Sequence, residues 1–213
     1  MKSVAFRYAS QVATTIRWFM AVGVLALAVA GCQTPYPPAP VIAATPDYDY
    51  HIGPLDTVNV IVWRNPELST SVPVRPDGKI TTPLVDDLPA FGKTPTELER
   101  DMEKALTKYI RDPVVTIIVT AFAGPATEQI RVIGEATKPQ VLPYRRQMTV
   151  LDVMIAVGGL TDFADGNSAR IFRVADGGKL YAVRLRDLVK RGDITANVDM
   201  RPGDILIIPQ SWF

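Results

Sequence analysis

Residues 18–30 form an uncharged apolar run that ends at Gly31-Cys32, and Pro35, Pro37, Pro38, Pro40 and Pro46 follow closely. Proline fixes φ and removes an amide donor, so residues 33–46 favour extended chain over any packed element. Nothing ahead of residue 47 carries the pattern of a domain. A fold must therefore be built from what comes after it.

The composition narrows what that fold can do. The 213 residues are 47% hydrophobic and 21% charged, which excludes wholesale disorder. Lys plus Arg is 23 and Asp plus Glu is 22, a net charge of +1. This is not the balance of a nucleic-acid binder, and no nucleic-acid partner is expected. There is one histidine and one cysteine. An intrachain disulfide is impossible, and no multi-ligand Cys/His zinc site can be built within one chain. No cofactor is expected.

The N-terminal segment reads as an address. Lys2, Arg7 and Arg17 precede Trp18–Ala30, and no acid occurs before Cys32. As a helix this run is roughly 20 Å long at ~1.5 Å per residue, short against a bilayer core of ~30 Å. It has the size and flanks of a signal-peptide apolar segment. Val29-Ala30-Gly31-Cys32 resembles a lipobox. That resemblance implies cleavage between Gly31 and Cys32, acylation of Cys32 and a membrane anchor. Gln33, where an inner-membrane retention signal would have Asp, favours the outer membrane. Residues 1–31 are then a signal peptide and 32–46 a lipidated cysteine on a proline-rich spacer.

Two small domains follow, residues 47–123 and 124–213 with a short C-terminal tail. In the first, Val58–Trp63 is β-branched and reads as a strand. Arg75-Pro76-Asp77-Gly78 has the residues of a tight turn, and Pro73 suggests an edge. Thr94-Pro95-Thr96-Glu97 predicts a capped helix start with an apolar stripe of Leu98, Met102, Ala105, Leu106 and Tyr109. Val114–Thr120 is another strand. In the second, Gln129–Ile133, Ile171–Val174, Leu180–Val183 and Ile205–Ile208 read as strands. Thr149 caps a short helix ended by Gly158-Gly159, and Asp176-Gly177-Gly178 predicts a hairpin. The expected core is Val132, Leu151, Ile155, Ile171, Val183, Leu188, Ile205 and Ile207. One helix among several strands gives an α+β class for each domain. Gly53-Pro54-Leu55-Asp56 is echoed by Pro202-Gly203-Asp204, each just ahead of a strand. Turn chemistry alone explains this.

Residues able to do chemistry are few. His51 is a possible general base with Ser69, Ser71 or Ser168 as nucleophile, but no motif joins them, and a histidine at a strand edge is the simpler reading. Asp86-Asp87 is an acidic pair in a proline-bounded loop. Asp162, Asp165, Gly166 and Asn167 lack the remaining ligands of a calcium loop. Arg184, Arg186, Lys190 and Arg191 read as a solvated face, and Trp63 and Tyr144 as core, interface or sugar-stacking rings. Trp212-Phe213 is an aromatic terminus and a candidate partner contact. No catalytic residue and no metal site is expected.

Tyr50-His51-Ile52-Gly53-Pro54-Leu55-Asp56-Thr57-Val58 resembles the opening of the polysaccharide biosynthesis/export domain. The likeness continues through Val74–Ile80, Pro83-Leu84, Gly92-Lys93-Thr94, Glu97-Leu98 and Asp112–Val115. One departure is Leu55 where glycine is usual, with Gly53 expected to supply the turn alone. Val132–Glu135, Lys138-Pro139, Thr149–Asp152, Ala156–Leu160 and Met200–Ile205 resemble an SLBB domain, a β-grasp-like ligand-binding fold. Together with the lipobox, this order resembles the outer-membrane polysaccharide export lipoproteins of the Wza type, in a short form without the C-terminal membrane helix.

The resemblance implies a conduit rather than an enzyme. It would be a cyclic homo-oligomer, lipid-anchored to the outer membrane with its body in the periplasm, that passes capsular or exopolysaccharide. Its implied partners are an inner-membrane polysaccharide co-polymerase, a separate outer-membrane component and the secreted glycan. Asp86, Asp87, Arg145 and Arg146 are candidates to face the lumen. The alternatives are a monomeric lipoprotein that binds a small ligand or cell-wall glycan through the SLBB domain, and a glycan-processing enzyme resting on Asp86-Asp87 alone.

Overall fold

The structure is a computed structural model that describes residues 36–41 and 48–212. The apolar run, Gly31, Cys32, residues 42–47 and Phe213 lie outside the described residues. What is described is α+β, with ten strands and three α-helices.

The first domain places β1 (Thr57–Val62) between β2 (Thr70–Pro73) and β5 (Val115–Ala121) in an antiparallel sheet. Val58, Val60 and Val62 alternate inward, as β-branched residues do on a half-buried strand. They meet Leu98, Met102 and Leu106 of α1 (Pro95–Leu106), all buried. The capping box forms as the sequence predicts: the Glu97 amide donates to the Thr94 hydroxyl at 3.3 Å and the Thr94 amide to the Glu97 carboxylate at 2.8 Å. Tyr109 falls outside the helix and is exposed. Pro73 is on an edge strand, as expected.

The Arg75–Gly78 turn closes, with the Gly78 amide donating to the Arg75 carbonyl at 2.8 Å. Its flanks part into different sheets. β3 (Lys79–Thr82) pairs instead with β4 (Val85–Pro89), so Asp86 and Asp87 lie in a strand and not in a loop. Two consecutive acids and a proline hid that strand, because they are depleted from strand interiors.

The second domain is a five-stranded mixed sheet, ordered β7-β6-β10-β8-β9. The strands are β6 (Ile130–Gly134), β7 (Val141–Leu142), β8 (Ala169–Arg173), β9 (Lys179–Val183) and β10 (Ile205–Ile208). β6 and β10 run parallel and the other pairs antiparallel. Two helices cover it, α2 (Val150–Ala156) and α3 (Leu185–Arg191). In the sequence the second of these shows only as a basic run. The β8–β9 hairpin and the Gly158-Gly159 helix end form as predicted. Gly134, the last residue of β6, sits where only glycine fits, since a Cβ there would lie 1.9 Å from the Ile208 carbonyl oxygen.

The expected core of this domain is half right. Val132, Ile171, Val183 and Leu188 are buried. On β10 the phase is the other one: Leu206 and Ile208 are buried, and Ile205 and Ile207 are partly exposed. All four residues are apolar, so only pairing with Val132 and Ile171 sets which face turns inward. On α2, Val150, Val153 and Met154 face the core, as does Val157 at its C-cap, while Leu151 packs at the margin and Ile155 is 71% exposed.

Part of the proline-rich segment is docked. Pro38 bridges Ala182 of β9 in parallel, with the Ala39 amide donating to the Ala182 carbonyl at 3.1 Å and the Ala182 amide to Pro37 at 2.8 Å. Ala39 is buried in the second core, and Arg170 stacks 4.7 Å from the Tyr36 ring centre. Residues 36–41 thus lie against β9, an edge strand, rather than standing free.

Candidate functional surfaces

The junction between the domains is built on one carboxylate. Asp56 is fully buried. Its Oδ2 accepts the Gly53 amide at 2.8 Å and the Tyr50 hydroxyl. Its Oδ1 accepts the amides of Ala123 and Gly124, at 2.6 and 2.8 Å. Four donors satisfy a charge that burial would otherwise make costly. Gly53 is needed here for space: a Cβ would lie 2.2 Å from the Gly124 carbonyl carbon. The left-handed residue of this turn is Leu55, at φ +70°, so the expectation that Gly53 alone supplies the turn is wrong.

His51 belongs to the same junction, in a segment without regular secondary structure ahead of β1 and not at a strand edge. Its Nδ1 lies 3.1 Å from Glu128 Oε1, while Tyr48 donates to Glu128 Oε2 at 2.9 Å. Tyr48 also packs edge-on against Tyr144 at 4.9 Å. Burial and these carboxylate acceptors raise the pKa of both Tyr48 and Tyr50. No candidate nucleophile is brought to His51: the Ser69 hydroxyl instead accepts the Val62 amide at 2.9 Å.

Sequence reasoning missed two polar devices. Arg173 and Asp204 are both fully buried, joined by Nη2–Oδ2 at 3.1 Å and Nε–Oδ2 at 3.2 Å, with Nη2 also donating to the Asp199 carbonyl at 2.9 Å. The charge pattern of an alternating strand gave no sign of an inward arginine. On α1, Glu99 and Glu103 accept the outward amides of Ile117 and Val115 at 2.9 and 3.0 Å. They stand where a further strand would pair with β5. Their i, i+4 spacing was the available signal.

The remaining candidates are dispersed. Asp86 and Asp87 are exposed on β4, and Asp87 pairs with Arg75. Arg145 and Arg146 are exposed in the loop between β7 and α2. The basic run is largely neutralised: Arg184 pairs with Asp187 and Asp193, and Arg191 with Asp187. Asn167 is taken up by Asp187, at 3.0 Å. Among the described residues no group of His, Cys, Asp and Glu is placed to hold a metal ion. Among them, too, no helix is long and apolar enough to cross a membrane. Trp212 is 94% exposed, Tyr144 is buried, and Trp63 is 67% exposed.

Residues 44–120 match the family described as polysaccharide biosynthesis/export protein, and residues 128–208 match the SLBB domain. The chain belongs to the polysaccharide export family. It is 29% identical over 187 residues to the EPS I polysaccharide export outer membrane protein EpsA of Ralstonia solanacearum, covering 76% of this chain and 48% of that protein. It is 29% identical over 177 residues to the exopolysaccharide production protein ExoF of Rhizobium meliloti (strain 1021), covering 76% and 41%. The capsule polysaccharide export outer membrane protein CtrA of Neisseria meningitidis is 27% identical over 129 residues, covering 61% and 31%. The chain thus spans about half the length, or less, of these curated relatives. Asp56 and Asp204, the two buried turn carboxylates, fall one in each matched domain.

Proposed function

We propose that this protein is an outer-membrane lipoprotein with its folded body in the periplasm, and that copies assemble into a ring-shaped conduit for capsular or exopolysaccharide. The observation that carries this reading is the near-continuous match of residues 44–208 to an export domain followed by an SLBB domain, with relatives named for polysaccharide export. The role is transport, not catalysis.

Cys32, once acylated, anchors each subunit. Subunits meet side by side in a cyclic, heterologous interface, because only a rotation that closes leaves a bounded lumen. The lumen shields a hydrated glycan and holds it weakly, since a tight site would stall transport. Asp86, Asp87, Arg145 and Arg146 are exposed, as lumen-facing residues must be. The glycan arrives from an inner-membrane polysaccharide co-polymerase and leaves through a separate outer-membrane component. Trp212, with Phe213 beyond it, offers an exposed aromatic contact to that component.

Native mass spectrometry of the membrane-extracted protein in mild detergent tests this. A closed ring carrying acyl mass on every subunit is expected. A strict monomer that binds a small ligand would replace the conduit with a binding module. In cells, Cys32→Ser should release the protein from the membrane and stop export, and normal export by stable Cys32→Ser protein would sink the anchoring role.

A further inference from the structure

The outer face of the β2-β1-β5 sheet carries no charge. Its register pairs Asn59 with Ile118 and Ile61 with Thr116, and the Trp63 amide donates to the Val114 carbonyl at 2.9 Å. Val114, Thr116 and Ile118 are exposed, Ile61 is partly so, and Trp63 stands at 67% exposure at the end of this row. On the other flank Asn59 faces Ser71 and Thr57 faces Pro73. The opposite face of the same strands is packed on α1, so this one is left open. A solvated sheet face of an antiparallel domain is ordinarily polar throughout. Here it carries an indole, aliphatic side chains, hydroxyls and one amide.

We propose that this face is a contact platform for an uncharged stretch of glycan, with Trp63 as its stacking ring. The proposal rests on the export reading. A pyranose ring offers C–H edges that suit the negative face of an indole, and hydroxyls that suit Asn59, Ser71 and Thr116. A charge-free platform neither attracts nor repels a neutral sugar, and it leaves no ionic group to be desolvated. Size argues against a second copy as occupant. Three strands of four to seven residues cover at most roughly 20 Å by 14 Å, or on the order of 300 Å². A stable protein interface needs about 800 Å² per partner. One exposed ring with few polar partners gives weak contact, which suits a moving polymer.

The test is ligand-observed saturation-transfer NMR with cellohexaose, a neutral hexasaccharide, against the full chain in detergent. Transfer to the sugar is expected for the native chain and for Phe163→Ala, which removes an equally exposed ring from the second domain. It should be about five-fold or more weaker for Trp63→Ala and partly restored in Trp63→Phe, which keeps an aromatic face. Sedimentation of each variant is measured in parallel. Equal transfer to the native and Trp63→Ala chains overturns the proposal. So does an absence of transfer to the native chain. If in that case Trp63→Ala also breaks a multimer into subunits, the face belongs to a second copy. Should the Trp63→Ala chain misfold, Asn59→Ala takes its place with the same expected loss. The export reading fails separately, if deleting the gene leaves secreted polysaccharide unchanged while the sugar still binds.

Discussion

Leu55 and Gly203 occupy the same position in two copies of one turn. Both have positive φ, +70° and +81°. In each turn the closing aspartate accepts the amide three residues earlier, Gly53 to Asp56 at 2.8 Å and Arg201 to Asp204 at 2.9 Å. In each, the aspartate amide donates back to the carbonyl of that earlier residue, at 3.3 and 3.1 Å. At Gly203 a side chain would strike the Thr127 carbonyl oxygen at 2.5 Å, whereas the Leu55 side chain points into solvent. Leu55 therefore bears backbone strain without a clash. Left-handed backbone costs a residue with a Cβ about 1–2 kcal/mol, and the extra freedom of unfolded glycine returns about 0.5–1 kcal/mol. Leu55→Gly should stabilise the protein by about 0.5–1 kcal/mol, read as a higher urea midpoint. A lower midpoint would mean that the leucine side chain contributes packing.

Asp56 has the opposite outlook. Asp56→Ala leaves the amides of Gly53, Ala123 and Gly124 and the Tyr50 hydroxyl without their acceptor. Buried donors stripped of a partner cost about 1–3 kcal/mol each, so a loss of about 3 kcal/mol or more is expected. Hydrogen exchange should rise at Ala123 and Gly124 before it rises in the strands. Unchanged protection at those two amides would count against Asp56 as the junction clamp.

The β5 edge is guarded by the helix beside it. Inward-reaching carboxylates are one way to blunt a strand edge. In the Glu99→Ala, Glu103→Ala double variant the Val115 and Ile117 amides open to water or to another strand. A loss of about 1–2 kcal/mol is expected, together with concentration-dependent association in analytical ultracentrifugation. A variant that stays native in both stability and size would show that these bonds contribute nothing.

Stability should fall at both ends of the pH scale, for different reasons. Asp152, Asp176, Asp187 and Asp193 are held below the usual carboxylate range, first by hydrogen bonds from Thr149, Tyr181, Asn167 and Thr195 respectively. Their stabilisation is complete above the unfolded aspartate value of about 3.9 and is lost as pH drops below it. Tyr48 and Tyr50 are shifted upward, so their contribution is complete below the unfolded tyrosine value of about 10 and is lost as pH rises above it. Absorbance at the phenolate band should show these two rings ionising only as the domain junction opens. Ionisation of every tyrosine at the ordinary value in folded protein would refute that.

The class of fold, the two-domain order and most strands could be read from local pattern. Thr94 to Glu97 named a helix start because a capping box needs only neighbours in the chain. Val58–Trp63 named a strand because β-branched residues favour extended chain whatever their partners. The family resemblance was legible in the same way, through turn and cap residues that recur in order. Where every residue of an element is apolar, as in Ile205–Ile208, local pattern has no phase to offer, and pairing with Val132 and Ile171 chose it. The other things left to tertiary structure are all contacts between distant positions. Asp56 meets Gly124, Arg173 meets Asp204, Glu99 meets Ile117, and Pro38 lies on Ala182. Each joins a donor to an acceptor that the chain does not bring together locally. Burial of those polar groups is tolerable only once the fold has placed the partner.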